Sequence, residues 1–391
     1  MNTSHKHTHI LFILAALVLM AAAALAQPVG NVNVLGPARS VNQSQDAKAG
    51  SILVFPFYGS DGTAANDTSL TITNVGPLGY PGAPVANFNA GAAGFPTDIL
   101  NNLNVHLFWL DGTSCSQADG YVCFTKFQSW TFKASEWDPV TARGILIAVA
   151  VDPAGYPIAY NGLIGNAYVN CNVTQGGITE RWLGNYGAEA FAGVGRLRAP
   201  VPAGQAYFYT TAANPGNGNT TATLQFNNAP FLAVDPLGPT GYDAGSAAYA
   251  AEFRSPADLQ GQTVLTVSLQ GTIGGALTGN GVENNSIAAI YRNDEKIFSW
   301  TGPGDSCQSL LRITATNPRI VGGLGLQIGT GKTGTMVWTT LHNSVGLFIT
   351  PQAGNNNWVG IRPLHKRNVP SAALLGTSAL VMPVFMPTCV L

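Results

Sequence analysis

Charge is scarce in this chain. Lys and Arg total 18 and Asp and Glu 19 in 391 residues, so charged side chains make up 9%, against about a quarter in an ordinary soluble domain. Such a chain projects no field strong enough to gather nucleic acid or an anionic membrane surface, and neither is expected as a partner. Histidine is scarcer still, with six residues, three of them in the first nine positions. The others, His106, His342 and His365, stand at no metal-ligand spacing from one another or from a cysteine. There is no Gly-x-Ser-x-Gly, and so no nucleophile elbow. Gly329-Thr330-Gly331-Lys332-Thr333 ends like a phosphate-binding loop, but Leu326 stands where the first glycine belongs. A Gly/Thr-rich turn between strands is expected there, and no nucleotide.

Long apolar runs are also few. Lys6 precedes an uncharged run from Ile10 to Ala26 that closes on Ala24-Leu25-Ala26. A charged start, a short apolar middle and a small-x-small exit read as a secretory signal peptide over residues 1–26, cut between Ala26 and Gln27. Removing Lys6 leaves 17 basic and 19 acidic residues, a formal charge of −2. The expected location is outside the cytoplasm: periplasm, cell surface or medium. The apolar tail, Ala372 to Leu391, carries Pro383 and Pro387, which break a helix. It reads as a terminal strand, with a cleaved or anchoring tail as the alternative, so no transmembrane helix is expected in the mature chain.

The five cysteines are Cys115, Cys123, Cys171, Cys307 and Cys389. In an oxidising compartment they are disulfide candidates. Cys115 and Cys123 suit a bridge across a hairpin, and Cys307 and Cys389 suit a tie between the tail and the second half, although spacing alone does not prove connectivity. Cys171 is then left as a buried free thiol.

Gly (46) and Pro (24) are abundant, and they punctuate segments rich in β-branched and aromatic residues. Strands are expected at Ile52–Tyr58, Ser69–Asn74, Val105–Leu110, Phe124–Phe132 and Ile145–Val151. The last is apolar on both faces and belongs at a sheet centre. Further strands are expected at Val264–Leu269, Ile287–Tyr291, Ile297–Trp300, Leu310–Ala315, Thr335–Thr340, Val345–Thr350 and Ala379–Phe385. Thr179–Phe191 and Asp243–Phe253 are the two segments that suggest short helices. The expected fold is all-β, built of antiparallel β-sandwiches, two in number: residues 27–200 with a helical extension, and residues 201–391.

Four segments carry a resemblance. Val105–Cys115 (Val-His-Leu-Phe-Trp-Leu-Asp-Gly-Thr-Ser-Cys), Phe132–Asp138, Gly144–Asp152 and Tyr160–Tyr168 (Tyr-Asn-Gly-Leu-Ile-Gly-Asn-Ala-Tyr) together resemble a group of uncharacterised secreted bacterial proteins. Their N-terminal part is similar to an immunoglobulin-like sandwich. The resemblance spans residues 50–170. It implies that fold and compartment, and it carries over no catalytic residue.

Candidate chemistry is thin. Glu136 and Asp138 flank Trp137, and Glu283, Asp294 and Glu295 lie further on; a glycosidase would need two carboxylates to converge. Asp61 with Asp67, or Asp111 with Asp119, could contribute to a structural calcium site, though calcium wants six to eight oxygens. His106 reads as a core histidine, and His342 and His365 as loop residues. Trp109, Trp130 and Trp338 read as core. Trp358 follows Asn355-Asn356-Asn357 on an expected loop, where an exposed ring could stack on a sugar. No catalytic residue and no cofactor is assigned. The expected role is a non-enzymatic structural or adhesive protein, with self-assembly or a surface glycan or protein as partner. A carbohydrate-binding or recognition module is the alternative, and an extracellular hydrolase ranks last.

Overall fold

The computed structural model describes residues 44, 46–76, 102–138, 141–151, 155, 157–158, 160–193, 217–226, 240–274, 287–292, 297–301, 307–313, 326–352, 358–366 and 378–387. The expected signal peptide lies outside these residues. Almost everything described is strand.

The first half runs β1 (Ile52–Ser60), β2 (Asp67–Asn74), β3 (Asn102–Asp111), β4 (Gln117–Thr125), β5 (Ser129–Lys133), a four-residue helix α1 (Ala134–Trp137), β6 (Thr141–Val151), β7 (Leu163–Gln175), β8 (Ile178–Gly187) and β9 (Glu189–Phe191). All nine strands belong to one antiparallel sheet that folds over on itself. Strands β1 and β2 meet at a single register pair, Ser60 with Asp67, so the sheet turns a corner there. On one side of it lie β4-β3-β6-β1 with β9, and on the other β5-β2-β7-β8.

Strand β7 shows why the second layer forms. Leu163, Gly165, Ala167, Val169, Cys171 and Val173 are buried, while Asn166, Tyr168, Asn172 and Thr174 are exposed. This period of two places one face on the core and one in water. Between the layers Phe57 meets Trp182 with ring centroids 4.7 Å apart. The Tyr186 hydroxyl donates to the Phe57 carbonyl, next to a register shift in β1 between Phe55 and Tyr58. As expected from its apolar faces, β6 sits centrally, between β3 and β1.

The second half contributes β10 (Asn217–Gln225), β11 (Thr240–Gly241), β12 (Ser246–Arg254), β13 (Thr263–Ser268), β14 (Gly271–Thr272), β15 (Ile287–Arg292), β16 (Ile297–Thr301), β17 (Gln308–Arg312), β18 (Thr333–Thr350), β19 (Gly360–Pro363), β20 (His365–Lys366) and β21 (Ala379–Phe385). Strands β11-β10-β21-β14 form a four-stranded sheet, and the others form an eight-stranded sheet around β18. Sheet membership therefore changes between β9 and β10; the expected domain boundary after residue 200 lies outside the described residues. One apolar core draws on both halves, from Ile52, Leu107 and Trp182 to Leu265, Leu347 and Met382. A smaller one gathers Tyr249, Phe253, Trp338 and Phe348.

Several expected elements are corrected. Neither expected helix forms. Residues of Thr179–Phe191 lie in β8 and β9, where Trp182 and Tyr186 are buried on one face of a strand. Asp243–Phe253 lies largely in β12, which β18 and β20 hold from its two edges. Alanine's helix preference, worth a few tenths of a kcal/mol per residue, loses to two ladders of hydrogen bonds. Phe124–Phe132 is split into β4 and β5 by a turn in which Phe127 adopts φ 65° and Gln128 Oε1 accepts the Thr125 amide at 2.8 Å. The opposite happens in β18, where two expected strands are one of 18 residues. Asn343 looks like a turn residue, but it is buried, its amide donating to Ser378 Oγ at 2.8 Å and its side chain to the Phe226 carbonyl at 2.6 Å. Consequently His342 and His365 lie in strands, not loops.

Gly144 of β6 tests the pairing of β6 with β1, where it stands opposite Tyr58. A Cβ there would lie 2.1 Å from the Tyr58 ring. Gly144→Ala should cost about 1–3 kcal/mol of stability, read as a lower urea midpoint with an unchanged slope; an unshifted midpoint would contradict this packing.

Candidate functional site

The β3–β4 hairpin holds a cluster of titratable side chains. Its register pairs His106 with Tyr121 and leaves Asp119 as the diagonal neighbour on the same face. His106 is fully buried. Its Nε2 lies 3.0 Å from Asp119 Oδ2, and its Nδ1 lies 3.0 Å from the Tyr121 hydroxyl, with the two rings stacked at 4.2 Å. The same hydroxyl is 2.7 Å from the Phe385 carbonyl at the end of β21.

Hydrogen counting decides what this cluster can do. A neutral imidazole that donates Nε2–H to Asp119 leaves Nδ1 as an acceptor. The single Tyr121 proton then serves either Nδ1 or the Phe385 carbonyl. A protonated imidazole would satisfy all three contacts, but as a charge out of water. Burial pushes the His106 pKa below the usual 6.5, outweighing the hydrogen bond and charge of Asp119. Near neutral pH the cluster is therefore a fastening between the hairpin and β21, and the hydrogen bond from His106 holds the Asp119 carboxyl below its ordinary range.

Among the described residues, three ion pairs join the halves of the chain, each with a buried carboxylate. Lys48 reaches Asp243 at 2.5 Å, Arg312 pairs with Glu180 of β8, and Lys366 of β20 pairs with Glu189 of β9. Asp243 also accepts the Ala192 amide at 2.6 Å; burial pushes its pKa up despite Lys48 beside it. Removing one partner of such a pair strands a buried charge. Sequence reasoning missed all three because the partners lie 195, 132 and 177 residues apart. The His106–Asp119 contact was within reach: a tight turn at 111–116 fixes the pairing.

Cys115 is bonded to Cys307, Cα to Cα 5.6 Å, across 192 residues. The expected Cys115–Cys123 and Cys307–Cys389 pairings are thereby corrected. Cys115 sits in the hairpin turn, its amide on the Asp111 carbonyl at 2.9 Å, whereas Cys123 lies six residues along β4 from Gln117, about 20 Å away. Cys389 lies outside the described residues. Cys171 is the free cysteine and is buried; burial pushes its thiol up to about 12, so it holds its proton.

The other sequence candidates are dispersed. Asp138 accepts the Tyr58 hydroxyl at 2.7 Å, while Glu136 accepts the Lys133 amide at 3.1 Å and caps α1. Asp61 takes Thr63 and Asn66, Asp67 takes Ser135, and Asp111 takes the amides of Thr113 and Ser114. Asp61 and Asp111 thus serve their own turns, while Asp67 serves α1 and Asp119 serves His106 of β3, and no group of three or more His, Cys, Asp or Glu is placed to hold a metal among the described residues. Glu283, Asp294 and Glu295 lie outside them. Gly331 sits in a turn that leads into β18, its amide on Asp258 at 2.6 Å. Trp109 and Trp338 are core residues, but Trp130, expected there too, is 41% exposed on β5. Trp358 is 60% exposed, with the Arg254 guanidinium 4.2 Å over its ring.

No family model and no curated protein matches this chain. A crystal structure of Thermotoga maritima 1070 aligns over 36% of this chain and 93% of its own, with 10% sequence identity and a TM-score of 0.22. A likeness that slight carries no argument about function.

The His106 cluster sets a pH dependence. The unfolded chain takes up the histidine proton near pH 6.5, and the folded chain resists it to a lower pH. The contribution is therefore complete above pH 6.5 and is lost as pH falls below it. Melting temperature should drop between pH 7 and pH 5, and His106→Gln, though less stable, should show a flatter dependence in that window. Parallel profiles would contradict this assignment.

Proposed function

We propose that this chain is an exported, non-enzymatic β protein with a structural or adhesive role at or beyond the cell surface. The observation that carries the reading is the Cys115–Cys307 bond, which joins residues 192 apart; such a bond endures where the surroundings are oxidising. The low charge and the apolar run at residues 10–26 support export. The immunoglobulin-like identity of the first half belongs to the same proposal and is supported by the folded-over antiparallel sheet. No cofactor is assigned, and nucleic acid and nucleotide are not proposed partners. No helix among the described residues is long and apolar enough to cross a membrane.

An edge suited to self-assembly is β5. Its ladder partner among the described residues is β2, and Ser129, Trp130 and Thr131 are exposed. A second chain could add a strand there. Fractionation of producing cells, with intact mass and electron microscopy, tests the proposal. The expected result is a chain beginning at Gln27 in the envelope or medium, in ordered assemblies. A full-length, reduced chain in the cytosol would overturn it.

One observation favours a carbohydrate-binding role. The outer face of β5-β2-β7-β8 carries hydroxyls and amides in register. Thr131 bonds Thr71 at 2.9 Å, Ser129 bonds Thr73 at 2.8 Å, and Asn166 stands opposite Thr71. Tyr168 rises from this face 67% exposed, a ring suited to a sugar's apolar face with hydrogen-bonding groups around it. It is a better platform than Trp358, which Arg254 already contacts. Tyr168→Ala should abolish retention on neutral polysaccharide with little change in melting temperature, while Trp358→Ala should not. A wild-type chain that no neutral glycan retards would rule this reading out.

A further inference from the structure

We infer that two copies of this chain pair edge to edge through β5, antiparallel, about a two-fold axis that passes between their Trp130 side chains. The inference rests on the self-assembly reading above and adds to it the partner, a second copy, and the register.

The ladder with β2 fixes which backbone groups of β5 face outward. The Asn74 amide of β2 donates to the Gln128 carbonyl at 2.9 Å, so Gln128 faces β2. In an antiparallel ladder the direction alternates from residue to residue. The backbone groups of Trp130 and Phe132 therefore also face β2, and those of Ser129, Thr131 and Lys133 face away. A second contact agrees: the Lys133 amide donates to Glu136 Oε2 at 3.1 Å, not to β2. Ser129 and Thr131 keep outward amides and carbonyls that no strand among the described residues meets. Nor is this edge guarded. Edges are commonly blunted by proline, a bulge or an inward charge. Strand β5 reads Ser-Trp-Thr-Phe-Lys, its register with β2 is unbroken, and its one charge stands at its last residue.

One antiparallel register suits these groups. Ser129 stands opposite Thr131 of the second copy, and Thr131 opposite its Ser129. The outward amides and carbonyls of both residues then bond across the axis. Setting Thr131 opposite Thr131 would instead bring Ser129 to Lys133, whose amide Glu136 already holds. The favoured register puts Trp130 opposite Trp130 as a non-hydrogen-bonded pair, with Cα atoms about 4.5 Å apart and side chains in close contact. Trp130 fits that place. Its register partner on β2, Ile72, is buried, so the Trp130 ring lies on the core side of the layer, yet it is 41% exposed at the edge. The ring of the second copy would cover it as an aromatic pair. On the other face, the hydroxyl contacts Thr71–Thr131 and Thr73–Ser129 would continue through Thr131–Ser129 pairs across the axis. Lys133 lies at the far end of each strand, so no like charges meet. Such an edge is small beside the roughly 1,600 Å² of a standard interface, and the dimer should depend on concentration. The contact is isologous and closes after two copies.

The test uses the full oxidised chain, with the wild type as control. Trp130→Cys sets two thiols on opposed Cα atoms within disulfide reach, and mild oxidation should give a covalent dimer on a non-reducing gel. Ser129→Cys and Thr131→Cys, each offset from its own copy by two residues, should cross-link far more slowly. Sedimentation of the wild type should show a monomer–dimer equilibrium. Thr131→Pro removes an outward amide and no bond to β2. It should raise the dissociation constant at least about tenfold with little change in melting temperature. Faster cross-linking of Thr131→Cys than of Trp130→Cys, or a dimer indifferent to Thr131→Pro, would overturn the inference and leave self-assembly through another surface standing. A wild type that stays monomeric at every concentration, with no cross-linking of Trp130→Cys, would overturn both.

Discussion

Strand β1 is buried along its whole length, all nine residues of it, and the rest of the architecture answers to that constraint. A strand in a sandwich usually keeps one face wet. In β1, Leu53 and Phe55 lie over Gly165 of β7. Their neighbours Ile52 and Val54 must point the other way and are equally buried. Strands β13 and β18 of the second half pack near β1, and Gln308 of β17 donates to the Pro56 carbonyl at 2.6 Å. The first half thus buries apolar surface on two fronts, and its ion pairs and disulfide reach the second half of the chain. Each buried aliphatic side chain there contributes about 1.5–3 kcal/mol, so the apolar contact outweighs the polar fastenings that align it.

Those fastenings show how a charge-poor chain uses its charge. Asp243, Glu180 and Glu189 are among its few acidic residues, and all three are spent on contacts between halves. A buried pair adds little net stability, since desolvation offsets most of the attraction. What it does supply is discrimination: a slip in how the halves meet would leave a carboxylate without its partner. Hydroxyls and amides do the remaining surface work, as in the Thr71–Thr131 and Thr73–Ser129 contacts.

Strand content was legible wherever burial has a period of two or runs unbroken. Ile145–Val151 announced a central strand, and Ser69–Asn74 a half-wet one. Legibility failed where composition and pairing disagreed. Ser-Ala-Ala-Tyr-Ala-Ala-Glu reads as helix, yet β12 has ladder partners on both edges. Asn343 reads as a turn until the groups that satisfy it, Phe226 and Ser378, arrive from distant segments. The cysteines give the same lesson: nearness in sequence favoured Cys115–Cys123, and only the straight run of β4 separates them. Of the candidate residues, His106 was read correctly as core, whereas its contact with Asp119 needed the hairpin register. Tyr168 went unnoticed because alternation shows which face it occupies but not that its register partners, Ser69 and Asn185, are small and polar.

The Cys115–Cys307 bond has a mechanical consequence. Tension applied at the two ends of the chain would pass from residue 115 to residue 307 through two sulfurs, bypassing the 192 intervening steps of backbone. At about 3.4 Å per residue, roughly 650 Å of contour length would stay hidden from the load. Strands β4 to β16 lie inside that loop and would be shielded from end-to-end pull, while β1, β2 and β21 outside it would bear the strain. A protein exposed to shear would thus yield at its margins first and keep its middle folded.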